Sequence, residues 1–513
     1  MAISNDINVL VPPTYYPSGY VFLQADNSGA TDSAPAIQRA LDNFSNVYLP
    51  AGIYLLNSPL YITRDNSKLY GAGCGATTLT TGSSTNSIIS ITNTTYNFFT
   101  LHDLTINRNT TPPAGSGANG INIASIAQCL IYNVYVVKHD IAFNLGRVSW
   151  GVIQNCIAVK CASDGFFMQN SIYSNEIQWI LINTISEANK GYGYHVKSVP
   201  LNGHISGDPA FITLNPWIQP YTFNNTLGGI FIDGSAADIN EFSLLGGYIG
   251  EDGGNAITLN SRGLNNTLTD VNIQVAGGSP TGPRDSNGAL IVPKLDGYGI
   301  LLKENIDVRI TGCTINQCYA SGIALAGTSL LNRVMITGCR IVNNNFLINT
   351  DFTHSLAQTF SGIEISGGTC IITGCCIGDD HNNPINQPAT QYYGVKTYDG
   401  SKTTVVGCDL LGNVNTPILI LNNASRMVIS GNTGFISKNS GTATIPAFSS
   451  QVVVTHFLLV TPVFVLVTPT SNLGNLTYYV NQIDATTFII HTSASVGSSP
   501  INFSWVAFSQ IND

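Results

Sequence analysis

Between residues 100 and 432 short apolar runs recur in two forms. One is a glycine-led strand, seen in Gly120-Ile121-Asn122-Ile123, Gly229-Ile230-Phe231-Ile232, Gly299-Ile300-Leu301-Leu302, Gly322-Ile323-Ala324-Leu325 and Gly362-Ile363-Glu364-Ile365. The other is a longer strand closing on a small or polar residue, as in Val308-Arg309-Ile310-Thr311-Gly312-Cys313-Thr314-Ile315. It returns at 334–341, 370–377, 404–410 and, degraded, at 427–433. The first form falls at positions 120, 141, 165, 193, 229, 256, 299, 322, 362, 394 and 417. The shortest spacings, about 21–24 residues, are too tight for a strand–helix repeat and suit two or three short strands with turns. Spacings of about 36–43 residues carry inserted loops. Neither strand buries its apolar side alone, so successive copies must stack. The pattern predicts an all-β chain built as a parallel β-helix.

Ahead of the repeats, residues 1–19 are rich in Pro and Tyr and read as a lead-in arm. Within 26–42, Asp32 or Ser33 is placed to cap a helix over about 33–43, with Pro35 in its first turn and Ala36, Ile37, Ala40 and Leu41 as one apolar stripe. One amphipathic helix before a solenoid covers the open end of its core. The β-helix is expected to run over 20–440. After Gly441 the glycine-led beat stops, and short alternating runs at 443–445, 452–454, 463–467, 478–480, 488–490 and 502–505 predict an antiparallel β-sandwich over 441–513.

The run 26–42 resembles the D-G-x-T-D-D-T-x-A-I-Q-x-A signature of pectate-lyase-like, right-handed β-helix proteins, with Asn27 standing where the signature has its first glycine. The segments Leu49-Pro50-Ala51-Gly52-Ile53-Tyr54 and Leu69-Tyr70-Gly71-Ala72-Gly73 fit that family's following rungs. The match covers about 20–80, and the repeats extend it to about 435. The resemblance implies a right-handed helix and a glycan-directed protein, a class that includes lyases, glycosidases, epimerases and bacteriophage tailspikes; fold by itself does not choose among them. The C-terminal module resembles those of trimeric phage tailspikes, which implies a homotrimer and a place on a virion tail or outside the cell; a monomeric cap or carbohydrate-binding module is the other reading.

Composition narrows the partners. The formal charge of −9, with no Lys/Arg run, argues against nucleic acid. The N-terminus lacks the basic start and apolar core of a secretory signal, and no apolar run reaches membrane-spanning length, so membrane insertion is not expected. Eleven cysteines are present, and Cys313, Cys339, Cys375 and Cys408 recur at one repeat position, which reads as a buried ladder of reduced thiols. Their spacings do not suit a metal, and no cofactor is expected.

Stacked rungs bring equivalent residues about 4.8 Å apart, so surface columns can be read from the repeat. On the glycine-led strands the residue after Ile, and the one two further on, should point outward. The first column then reads Asn122, Ala142, Phe167, His195, Phe231, Thr258, and the second Ala124, Asn144, Gln169, Lys197, Asp233, Asn260. Aromatic rings interleaved with polar groups suit sugars, which offer an apolar face and a hydroxyl rim. Phe167, Gln169, His195, Lys197, Phe231 and Tyr194 are therefore the candidate substrate-binding residues. Glycoside hydrolysis needs two carboxyls roughly 5–9.5 Å apart, one or two rungs. Asp233 with Glu251 or Asp252 is the leading pair, and Glu187 with Asp164 the second. A polysaccharide lyase would instead draw a base and a carboxylate-neutralising group from His195, Lys197, Lys190 and Tyr194. A non-catalytic glycan-binding adhesin is the third reading. Inserted loops at 198–228, 260–298, 343–361 and 378–393 are expected to wall these faces.

Overall fold

Each rung of this chain is set by two single-residue turns. Between the second and third strands of the rungs one residue adopts positive φ: Asp103, Asn133, Asn155, Asn183, Gln219, then Gly246, Asp270, Gly312, Gly338, Gly374, Gly407 and Gly431. Asn, Asp and Gly tolerate this left-handed conformation best, which is why they fill the position. A second such turn, after the third strand, falls at Lys138, Lys160, Ala188, Asn224, Glu251, Val275, Gln317 and Asn343. A Cβ on Gly374 (φ 60°) would meet nothing within 4 Å. Gly374→Ala should therefore cost only the backbone penalty, about 1 kcal/mol, read as a lower urea midpoint at unchanged slope; no loss would contradict this turn geometry.

The computed structural model describes residues 21–22, 25–92, 98–170, 176–200, 211–214, 216–277, 297–304, 307–326, 333–345, 360–378, 391–398, 401–421, 427–458 and 461–509. The expected arm at 1–19 lies outside them, as does much of the expected loops. Parallel pairing links each strand to its counterpart one rung on, through a 37-stranded sheet that coils as a β-helix. The helix Ala34–Asn43 buries Ala34, Ile37, Ala40 and Leu41 against its first rungs, with Ala36 partly covered. Asp32 accepts the Ala34 N–H at 3.0 Å. Six antiparallel strands form two three-stranded sheets after the helix ends, Lys438–Ile445, Ile501–Phe508 and Phe464–Pro469 in one, Gln451–Thr455, Thr487–Thr492 and Tyr478–Asn481 in the other. They enclose a separate core of Phe488, Ile490, Phe503 and Trp505.

The interior is organised in columns. Phe143, Phe166 and Tyr194 stack at 4.6 and 4.9 Å between ring centres, with Trp217 following at 5.5 Å. Cys313, Cys339, Cys375 and Cys408 are all buried, in one interior column as the repeat position foretold. Burial lifts the Cys318 and Cys156 thiols to about 12, so they act as small apolar residues. A further column was not read from the sequence. The residue after the second left-handed turn points inward, and Asn189, Asn225 and Asp252 there form a buried polar ladder. Asn189 Nδ2 donates to Asn225 Oδ1 at 2.9 Å, and Asn225 Nδ2 to Asp252 Oδ1 at 3.0 Å.

Candidate functional site

Strand register decides which expected site residues meet. Along the first strands Asn122 lies beside Asn144, then Phe167, His195, Phe231, Thr258 and Leu301. Gln169, Lys197, Asp233 and Asn260 form the second column. The expected surface is thus assembled, with one slip at this rung: Asn144, expected in the second column, occupies the first in place of Ala142. Ala142 sits fully buried in the column led elsewhere by glycine. A Cβ on Gly165 would lie 2.0 Å from Ser186 Oγ, and one on Gly229 within 2.5 Å of the next rung, so that column selects for the smallest residues; at this rung the signal was masked by Ile141.

On this face His195 is enclosed by rings. Phe231 stacks on it at 5.2 Å, and Phe167 and Tyr192 meet it edge-on at 5.1 and 5.2 Å. Its Nδ1 lies 2.9 Å from Asp164 Oδ2, while Asp164 Oδ1 accepts the Tyr192 N–H at 2.7 Å. Among the described residues the second ring nitrogen of His195 is buried with no hydrogen-bond partner. The Tyr192 phenol is pushed up by burial and then by Asp164 and Asp233. Asp233 accepts from Asn260 Nδ2 at 3.2 Å, and Lys197 lies exposed in register beside it.

Two expected site residues are interior. Tyr194 is fully buried, donating to Thr184 Oγ1 at 2.8 Å; two residues apart point the same way on a strand, but Tyr194 and His195 are neighbours and face opposite sides. Asp252 is also fully buried, where it accepts from Thr222 Oγ1 at 2.6 Å and from Asn225, and burial raises its carboxyl to about 7. It cannot reach a substrate.

The expected carboxylate pairs are not formed. Asp233 ends the strand Gly228–Asp233, whereas Glu251 lies before the start of the strand above it, Asn255–Asn260, so they sit at opposite ends of that face. Asp164 and Asp233 are five residues and two rungs apart, roughly 19 Å at the backbone. Glu187 closes Ile185–Glu187 on the third-strand face, while the Asp164 carboxylate is turned toward His195 on the first.

Glu187 ends the third strand of its rung, and Glu251 follows the third strand two rungs on. Glu187 is in register with Phe223, and Phe223 with Gly250, the residue before Glu251. The two carboxylates are two rungs apart, roughly 10 Å at the backbone. Two positions back on the same strands Tyr221 stacks on Tyr248 at 5.0 Å, and Tyr221 approaches Phe223 at 6.4 Å. The Tyr221 phenol is pushed up by burial, then by the charges of Glu187, Glu251 and the buried Asp252. Tyr135, raised by burial and by Glu187, extends the face downward. The signal for this second face was in the sequence: Tyr221 and Tyr248 share a repeat position with Ile157 and Ile185.

Higher on the first face, Glu364 is held by a polar cluster. Tyr398 donates to its Oε1 at 2.7 Å, Ser321 to its Oε2 at 3.1 Å, and Lys396 Nζ lies 3.4 Å away, with both ionic side chains about 15% exposed.

Comparisons with known proteins agree with this architecture. Residues 23–111 match the family described as Rhamnogalacturonase A/epimerase, pectate lyase-like, and residues 215–355 that described as Right handed beta helix region. No curated protein matches the chain. Solved structures similar to it include the A-module of mannuronan C-5 epimerase AlgE4 of Azotobacter vinelandii, at TM-score 0.50 and 16% identity over 80% of this chain and 98% of that one. The tailspike protein gp49 of Pseudomonas phage LKA1 aligns at TM-score 0.44 and 12% identity, over 93% and 92%. The catalytic unit of a GH87 alpha-1,3-glucanase of Streptomyces thermodiastaticus aligns at 0.40 and 13%, over 83% and 70%. At these identities the likeness shows fold alone. The chain is a right-handed parallel β-helix with a pectate-lyase-like opening segment and a C-terminal antiparallel sandwich. Among the described residues no helix is long and apolar enough to cross a membrane.

Proposed function

We propose that this protein binds a polysaccharide against its β-helix and cleaves it as an endo-glycoside hydrolase, with Glu187 and Glu251 as the acid and base. One observation carries the reading: Glu187 and Glu251 stand two rungs apart at the ends of third strands that also carry the Tyr221–Tyr248 stack. Carboxyl groups converging from that backbone spacing to roughly 6.5–9.5 Å would leave room for a water between base and sugar, the arrangement of inverting enzymes. One carboxyl protonates the departing glycosidic oxygen while the other takes a proton from water, and the tyrosine tips supply hydroxyl contacts beside an apolar ring. The test is product analysis on a panel of bacterial and plant glycans by NMR, which should show new reducing ends of inverted anomeric configuration. Release of no oligosaccharide from any glycan would overturn it.

A second reading has its own support in the Asp164–His195 dyad. A histidine oriented by a carboxylate is equipped for proton abstraction, and Lys197 beside it would neutralise a uronate carboxylate, as β-elimination requires. The two readings separate on one variant. Under hydrolysis His195→Ala weakens binding, raising KM about 10-fold with kcat kept within threefold. A kcat loss near 10³-fold, with wild-type products that absorb in the far ultraviolet, would move the chemistry to the His195 face.

Assembly as a homotrimer is part of the same proposal, as is a place on a virion tail. Its support is apolar surface on the sandwich, where Val463, Phe464 and Leu466 are about half exposed, and on the helix at Met335 and Val428. Light scattering of the full chain should return three times 54.5 kDa; a monomer mass would remove it.

A further inference from the structure

We propose that the C-terminal sandwich carries a saccharide-binding groove of its own, independent of any chemistry on the β-helix. The groove, about 490 Å³, opens between Lys438–Ile445 and Gln451–Thr455, each an outer strand of its sheet. Trp505 forms its floor and is 5% exposed. The indole Nε1–H is buried and has no acceptor among the described residues, although an indole donor in a folded core normally finds one. Gly441, paired directly across from Trp505, keeps the space above the ring open: a Cβ there would fall 2.9 Å from the ring and 3.2 Å from Nε1. Phe488 meets the ring edge-on at 5.4 Å from behind and holds its orientation.

The mouth has the opposite character. Phe457 and Val453 are 68% and 56% exposed, and the hydroxyls of Thr442 and Thr455 line the rim on exposed positions. Asn439 Nδ2 donates to the His456 carbonyl at 2.8 Å, tying the two strands together at one end of the opening. A pyranose fits this set of groups. Its apolar face lies on Phe457, its hydroxyls meet the threonine rim, and one hydroxyl oxygen accepts the Trp505 N–H. An apolar ligand would leave that donor unmet, and a peptide strand pairing on either outer edge would not reach the floor.

Saturation-transfer NMR of the full chain with the methyl glycosides of glucose, galactose, mannose, rhamnose and N-acetylglucosamine tests the groove. At least one glycoside should receive transfer from wild type. That transfer should persist in the β-helix variants Glu187→Gln and Phe231→Ala, and the affinity should fall about 10-fold in Phe457→Ala and in Trp505→Phe. Phe457 is a surface residue, so its variant keeps the test open if Trp505→Phe fails to fold. Three results overturn the proposal: no transfer from any of the five, transfer unchanged in Phe457→Ala, or transfer lost in the β-helix variants instead. A Phe457→Ala protein that binds sugar like wild type but changes its mass in light scattering would make this face a contact between copies, and would equally overturn it.

Discussion

Glu187→Gln and Glu251→Gln should each lower kcat on the cleaved glycan by about 10²–10⁴-fold, the range that a positioned general acid or base supplies, while leaving the circular dichroism spectrum and thermal midpoint of wild type. Both side chains are half-buried, and an amide keeps the volume of each carboxylate. Removing both should cost little more than removing one, because acid and base act in a single step. Asp233→Asn, at the far end of the other face, should be milder and act on KM. If Asp233→Asn or Asp164→Asn silences the enzyme while the two glutamate variants keep more than half of wild-type kcat, the assignment of the pair is wrong.

The largest stability effect should come from Asp252→Asn. The buried carboxyl holds its proton in the folded chain up to about pH 7, against 3.8 for the free group. Such a raised group contributes stability that is complete below pH 3.8 and is lost as pH rises toward 7. That rise corresponds to roughly 4 kcal/mol, an upper bound on what the ionised form costs at pH 8. Asparagine carries no charge and continues the column set by Asn189 and Asn225, so the variant should exceed wild type in urea midpoint at pH 8. The buried His139 works in the other direction. Burial, then Arg108, lowers its ring to about 3, so its contribution is complete above pH 6.5 and declines as pH falls toward 3. Between pH 4 and 6.5 the two slopes oppose each other in wild type. Asp252→Asn should uncover the histidine slope, its midpoint rising over that window while wild type stays nearly level. Parallel pH curves for the two proteins would show that Asp252 is not protonated in the fold.

The lead-in helix, the stacked rungs, the buried cysteine column and the six strands of the sandwich were all legible in the chain. Each depends on local periodicity: one apolar stripe in a helix, or one buried position recurring with every rung. Surface columns were legible where the glycine beat marked the strand start, which is how Phe167, His195, Phe231, Lys197 and Asp233 could be grouped. They slipped by two residues where the marker failed, at Ile141-Ala142, since the small residue of that column is an alanine. Inward or outward orientation failed for Tyr194 and Asp252. Chemistry alone would place a tyrosine or an aspartate outside, but neighbouring strand residues face opposite ways, and a ladder of side-chain hydrogen bonds lets polar groups line the interior.

What the linear order could not supply was the pairing of acids. Glu187 and Glu251 are 64 positions apart, with Asp233 between them in the chain, yet only two rungs separate them, because inserted loops change the number of residues per rung without changing the rung height. Local patterning was enough to dictate that strands would stack and roughly where each begins. The register and the turns of the folded coil chose which residues share a face, because lateral neighbours are set by backbone hydrogen bonds between rungs and not by distance along the chain.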